Sequence, residues 1–247
     1  MNQKPATEGI TQLSCAHLTG CDESHLVEVA DGYRLHQQVA DAFTQLQRDA
    51  GKAGFELVIS SGYRSFERQC AIWNGKAAGW RPVHDDDGRP VPMADLAPRE
   101  QLHAILRFSA LPGTSRHHWG TDLDVYDMAA VERDYAVQLT PGEVAAGGVF
   151  DPFHCWLDER MAAGKSRGFY RPYDRDNGGV ALERWHLSFA PIAALCSGRV
   201  SAAALRACWD TCEGELLLRG EVEADWSEIM RRYLTVDKSW CPAHYYQ

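Results

Sequence analysis

The sequence has no apolar run approaching the ~18 residues that a membrane-spanning helix needs. Its first residues, Met1 to Glu8, hold no apolar stretch of signal-peptide length. The expectation is therefore a soluble, cytoplasmic chain, or a periplasmic one if a leader has been removed. Basic residues are outnumbered, with 25 Lys and Arg against 34 Asp and Glu and a net charge of -9. Phosphate binding is driven by Lys and Arg, so this balance argues against nucleic acid and anionic membrane as main partners. No C-x-x-C occurs among the eight cysteines, which speaks against a Cys-based zinc site. A chain of 247 residues needs no staples to be stable, so the cysteines are expected to be buried small apolar side chains rather than disulfides. Internal repeats and low-complexity segments are also missing, which excludes solenoids and disordered linkers.

What is present is the composition of an ordinary globular protein, 45% hydrophobic and 24% charged. Residues 1–31 show weak periodicity and read as an irregular N-terminal arm. Leu35, Val39, Ala42, Phe43, Leu46 and Ala50 recur at helical spacing, which predicts an amphipathic helix over 33–50 that ends at Gly51 and Gly54. Leu57-Val58-Ile59 suits a short buried strand over 55–60. A turn follows at 61–65, and Ser65 can cap a helix running to about 78. Residues 79–98 hold four prolines and three consecutive aspartates, and read as a long loop. A short helix is expected around 99–107, and the second half of 114–126 alternates like a strand. Thr140-Pro141-Gly142-Glu143 has the form of a helix start, with cap, first-turn proline and capping-box acid. Residues 151–164 read as helix and 182–189 as strand, and Trp226, Ile229, Met230 and Tyr233 recur at helical spacing. Short strands mixed with helices in no strict βαβ order predict an α+β fold, with a small antiparallel sheet flanked by helices.

Three patches carry chemistry. In the first, His117 precedes Gly120, which lets the chain turn into a strand bearing Asp124. A catalytic zinc takes about three ligands from His, Asp or Glu and keeps one position open for water, and an imidazole and a carboxylate could converge here. Spacing leaves two choices open: Asp122 and Asp124 share a strand face by the period of two, and His118 competes with His117. The second patch is Glu183-Arg184-Trp185-His186, with one candidate ligand and one candidate base. For both to reach one site, Glu183 must lie in a bend or at the strand start, because residues three apart on a regular strand face opposite ways. The third is Ser61-Gly62-Tyr63-Arg64-Ser65, with Gln69 one turn into the helix. An arginine at a strand-to-helix turn can grip a carboxylate or stabilise a developing oxyanion.

Together, Ser-Gly-Tyr-Arg-Ser, then Ser-x-His-x-x-Gly-x-x-x-Asp, then Glu-x-Trp-His resemble the metal-dependent D-alanyl-D-alanine carboxypeptidases, the VanY-like group. That group also contains L,D-carboxypeptidases, D-Ala-D-Ala dipeptidases and phage endolysins. The resemblance spans roughly 59–189. It implies one zinc per chain, held by His117, Asp124 and His186, with Glu183 as catalytic base. It implies contact of Arg64 and Ser115 with substrate or intermediate, and gives Gln69 a weaker place beside them. It also implies a murein peptide substrate losing a terminal D-alanine. If the chain is cytoplasmic, L,D cleavage of recycled tetrapeptides is the expected mode; D,D cleavage of pentapeptides, endopeptidase action and a non-catalytic binding module are the alternatives. The organisation expected is a single peptidase domain over 1–247, with the motifs in about 33–196 and a helical extension over about 197–247. Asp122 departs from the family pattern, which has a small or apolar residue there.

Overall fold

The structure, a computed structural model, describes residues 12–237, 239 and 241–242. The expected irregular arm falls partly outside these residues, and the rest of it is ordered locally. Helix α1 (Cys15–Thr19) is closed by a capping box between Ser14 and His17, and Gly20 ends it at φ 79°. It is too short to show periodicity, and its fixing contacts are tertiary. Leu18 is buried, and the Gly20 carbonyl accepts from the Phe66 amide and the Tyr63 hydroxyl. Strand β1 (Leu26–Glu28) pairs antiparallel with β2 (Arg34–His36). That pairing takes the first residues of the expected 33–50 helix, so α2 starts later and runs Gln37–Lys52. Leu35 is buried in either conformation, which is why its spacing did not separate them.

The next elements follow the expectation closely. Strand β3 spans Leu57–Ser61, and α3 spans Phe66–Ala77 with the Ser65 hydroxyl accepting from the Arg68 amide. The 79–98 stretch is loop, stiffened by a bridge between His84 and Pro90 and a 3-10 turn at Met93–Asp95. Helix α4 (Pro98–Leu106) precedes a 3-10 turn, Arg116–Trp119, which Gly120 ends in the left-handed region at φ 67°. A Cβ at Gly120 would meet Leu26 at 2.3 Å, so only glycine fits this bend. Strand β4 (Asp122–Asp127), the one-turn helix α5 (Pro141–Val144) behind the Thr140–Glu143 capping box, α6 (Asp151–Ala162) and β5 (Phe169–Tyr170) follow. Strand β6 is only His186–Phe189, shorter than expected, because Arg184 and Trp185 form a turn closed by the His186 amide donating to the Glu183 carbonyl at 3.0 Å. Helices α7 (Ala190–Cys196), α8 (Ala202–Trp209), α9 (Arg219–Ala224) and α10 (Trp226–Ile229) complete the described chain, the last running into a π-helical turn over Met230–Leu234.

The architecture is α+β. A four-stranded antiparallel sheet has the order β3-β4-β6-β5, beside the two-stranded β1-β2 ribbon. Its two faces are chemically opposite, as the period of two requires. Leu123, Val125, Leu187 and Phe189 join Leu57 and Ile59 against Val39, Phe43 and Leu46 of α2 and Phe153 and Leu157 of α6. The other face holds Asp122, Asp124, His186 and Ser188, all buried. A second apolar cluster joins Phe66 and Trp73 of α3 and Leu102 and Ile105 of α4 to Leu205, Trp209, Val222, Ile229 and Tyr233. The cysteine expectation holds only in part. Cys70, Cys196 and Cys241 are buried, but Cys15, Cys21 and Cys155 are exposed and Cys208 and Cys212 half-buried. Cys70 and Cys212 approach to 2.8 Å between sulfurs and Cys21 and Cys208 to 3.8 Å, so spacing in the chain did not reveal which thiols are neighbours.

Candidate metal centre and peptide pocket

The register of β4 against β6 places Asp124 directly opposite His186 and Asp122 opposite Ser188. The 3-10 turn before β4 swings His117 onto the same face. One ligand atom from each of His117, Asp124 and His186 lies within 4.8 Å of the others, and this is the one such group among the described residues. His117 Nε2 is 3.4 Å from Asp124 Oδ2, and His186 Nδ1 is 3.1 Å from Asp124 Oδ1. Asp124 Oδ1 is buried and makes no hydrogen bond of acceptable geometry. Two imidazole nitrogens and a carboxylate thus turn their lone pairs to one point, the N/O donor set of a borderline metal ion.

Hydrogen bonds behind the cluster set apart the members of the two pairs left open above. His118 is fully buried, with Nδ1 donating to the Arg64 carbonyl at 2.7 Å and Nε2 accepting from the Gly113 amide at 3.1 Å. Both nitrogens are committed, so His118 fixes backbone. His117 donates from Nδ1 to the Gly62 carbonyl at 2.8 Å, which leaves Nε2 for the cluster. Asp122 is likewise spent. It accepts from Arg116 Nε at 2.7 Å, from His186 Nε2 at 3.0 Å and from the Thr121 hydroxyl at 2.6 Å. That bond fixes the His186 ring and points Nδ1 at Asp124, the arrangement in which a carboxylate behind a ligating histidine sets its tautomer.

Electrostatics follow from burial. Burial pushes the His117 pKa down to about 4, so its ring is neutral and available as a donor. Burial opposes a charge on His186 too, but the bond to Asp122 and the charge of Asp124 prevail and raise it to about 10. A metal ion would take the place of that proton. Burial raises Glu183 to about 7, the range suited to exchanging protons near neutral pH. Its Oε2 lies 3.5 Å from His186 Nδ1, because the turn at 184–185 puts Glu183 before the strand rather than on its opposite face.

A cavity of about 570 Å³ opens over the cluster, lined among others by Arg64, Lys76, Ser109, Ser115, Tyr173 and Glu183. Arg64 donates to Gln69 Oε1 at 2.9 Å and to the Ser61 hydroxyl at 3.2 Å, and pairs with no carboxylate within 4.0 Å among the described residues. Gln69 is fully buried behind Arg64 and donates onward to the Ala110 carbonyl at 2.6 Å. It lies off the cavity wall and aims Arg64, whereas Ser115 lies on the wall. Sequence reasoning missed three residues here. Arg116 has no pattern of its own, since its role depends on Asp122, the departure from the family pattern. Tyr173, whose ring lies 5.0 Å from that of His186, sits in a stretch with no periodicity. Lys76 was signalled by its spacing of seven from Gln69, which puts both on one face of α3.

A buried His–Asp–His cluster beside a carboxylate and an unpaired guanidinium is the equipment of a metal-assisted hydrolase. The family model of VanY, D-alanyl-D-alanine carboxypeptidase, matches residues 32–192, and the chain belongs to that family. An uncharacterized protein of Haemophilus influenzae is 43% identical over 98 residues, 38% of this chain and 67% of its own length. A second from the same organism is 34% identical over 110 residues, 44% of this chain and 79% of its own. Among solved structures, VanYB in complex with D-alanine-D-alanine aligns with a TM-score of 0.48 and 22% identity, covering 69% of this chain and 79% of that one. The LdcB LD-carboxypeptidase aligns at 0.46 and 21%, covering 81% and 78%.

Proposed function

We propose that the protein is a zinc carboxypeptidase that releases C-terminal D-alanine from murein peptides. The observation that carries this reading is the convergence of His117 Nε2, Asp124 and His186 Nδ1 on one point, with Glu183 beside it. The family membership supports the substrate class. A bound zinc would supply a Lewis acid that polarises the scissile carbonyl and makes water acidic near neutral pH. His117, Asp124 and His186 would hold it, and the protein's own groups do the rest. Glu183 takes the proton from the attacking water and later delivers it to the leaving amine. Arg64, presented by Gln69 and Ser61, faces negative charge on the substrate. Ser115 adds a neutral donor on the wall.

The finer proposal is L,D cleavage of tetrapeptides. If the chain acts in the cytoplasm, this mode is favoured, since D,D trimming there would destroy the pentapeptide precursors of the wall. The test is incubation of zinc-loaded protein with murein tetrapeptide and pentapeptide, followed by mass spectrometry. Loss of one alanine from the tetrapeptide is the expected result. Loss from the pentapeptide alone would replace the L,D mode by the D,D mode, and internal cleavage would replace both by an endopeptidase.

A further inference from the structure

Lys76 stands on the last turn of α3 and reaches the same cavity as Glu183. Its ammonium donates to the Ser109 hydroxyl at 2.7 Å. Among the described residues no carboxylate comes within 4.0 Å of it, although the chain has 34 acids and pairs most of its buried or half-buried arginines. The charged groups near enough to influence it are Arg64, Arg81 and Glu183. The Arg64 amide donates to the His117 carbonyl at 3.2 Å, beside the cluster, and Gln69, which holds the Arg64 side chain, stands about two turns of α3 before Lys76. The order across the cavity is therefore metal cluster, then Arg64, then Lys76. A pocket that holds two cations with only neutral hydrogen-bond partners is built for an anionic ligand, since an unpaired buried charge is otherwise expensive.

Resting on the carboxypeptidase reading above, we propose that Lys76, with Ser109 beside it, binds the C-terminal carboxylate of the substrate, while Arg64, nearer the metal cluster, stabilises the oxyanion that forms on the scissile carbonyl. An exopeptidase must read a carboxylate one residue beyond the bond it breaks, and this is the second cation in that direction. Arg64, held by Gln69 and Ser61, is fixed in place beforehand, as a group that meets charge developing in the transition state must be.

The experiment is steady-state kinetics on a D-alanine-terminated peptide as free acid and as C-terminal amide. Wild type should prefer the acid strongly. Lys76→Met should raise KM for the acid about ten- to a hundredfold, the range of a lost charge-assisted bond of roughly 1.5–3 kcal/mol, and leave kcat within a few-fold. It should also erase the preference for acid over amide. Lys76→Arg should keep most of the preference. Arg64→Lys should do the opposite of Lys76→Met, lowering kcat with KM little changed. Burial brings Lys76 down to about 8. Its proton is present below that pH and lost above it, so KM of wild type should climb as pH rises through about 8. The guanidinium of Lys76→Arg keeps its charge over that range, so the part of the climb due to Lys76 should vanish in that variant, while the titration of Glu183, raised to about 7, is common to both proteins. A preference for acid and a KM that survive Lys76→Met would overturn the assignment while leaving the carboxypeptidase reading intact. Failure of wild type to cleave either peptide would sink both. If Lys76→Met does not fold, as read by circular dichroism, the pH profile of Lys76→Arg decides: a climb unchanged from wild type rejects the proposal.

Discussion

The polar face of the central sheet and the C-terminal segment that wraps α3 and α4 are held by opposite forces. On the sheet, Asp122, Asp124, His186 and Ser188 are almost completely buried, with Arg116 among them. Charge is held there by charge and by hydrogen bonds, and every committed atom narrows which neighbouring atom is free to ligate or react. In the segment from Leu205 to Tyr233, the buried residues are apolar: Leu205, Trp209, Val222 and Ile229 meet Trp73, Leu102 and Ile105. Across the contact, Trp73 of α3 donates to the Leu217 carbonyl and Trp209 of α8 to the Pro112 carbonyl. Polar burial of the first kind adds little net stability but fixes geometry, whereas apolar burial stabilises without aiming anything. Substitutions in the two regions should therefore separate catalysis from stability.

The sharpest break comes at Glu183. Glu183→Gln removes the base and keeps the shape, so turnover should drop by about two to four orders of magnitude. Metal content, measured on the purified protein, should stay at the wild-type level, because His117, Asp124 and His186 are untouched. Activity within a few-fold of wild type would mean another group accepts the proton. Asp122→Asn comes next. It strips the charge that faces Arg116 and His186, so zinc affinity by chelator competition should fall about 10- to 100-fold. The same change leaves the Arg116 guanidinium buried without its partner, and denaturant unfolding should report a loss of about 3–5 kcal/mol. An unchanged affinity would show that the His186 ring holds its orientation without Asp122.

Leu205→Ala probes the other region. Leu205 is 1% exposed, touches the α3 and α4 cluster, and lies 2.8 Å from where a Cβ on Gly113 would stand. Truncating a packed leucine costs about 2–5 kcal/mol, depending on how far the cavity collapses. Zinc affinity and kcat should change by less than a few-fold. A large loss of either would mean that packing at α8 is transmitted to the cavity wall, where Tyr233 of the same segment stands, and the two regions would then be one functional unit.

The sequence was most legible where local chemistry repeats a spacing. Motif spacing brought His117, Asp124, Glu183 and His186 into view, with His118 and Asp122 as competitors that only the family resemblance set aside; the four lie together in the structure, and Ser65 caps α3 as its position suggested. The antiparallel α+β class followed from short alternating strands. The hidden parts depend on partners distant in the chain. β1 and β2 exist because they pair with each other, and α1 because Phe66 and Trp119 receive its end. The choice between Asp122 and Asp124 was undecidable from a period of two, since both face one way. In the structure Arg116, Thr121 and His186 occupy Asp122, while Asp124 faces His117 and His186. Likewise, nothing in the spacing of eight cysteines foretold that Cys70 meets Cys212 from the far end of the chain.

The smallest effect compares one chemical change in both regions. Ser65 caps α3 through its hydroxyl, which accepts from the Arg68 amide at 3.2 Å. Ser201 caps α8 in the same way, accepting from the Ala204 amide at 3.2 Å. Replacing either by alanine leaves one helix-end donor to water and should cost about 1 kcal/mol in each case. Stability alone should not distinguish them. Kinetics should, because Ser65 follows Arg64 directly and α3 carries both Gln69 and Lys76, whereas α8 carries nothing that lines the cavity apart from its packing. Ser65→Ala should loosen the first turn of α3 and raise KM by a few-fold, with kcat nearly unchanged. Ser201→Ala should leave both constants at wild-type values while lowering the unfolding midpoint by a similar amount. Equal kinetic effects from the two caps would show that fraying at α8 reaches the cavity through the α3 and α4 cluster, and the separation of catalysis from stability would fail at its mildest test.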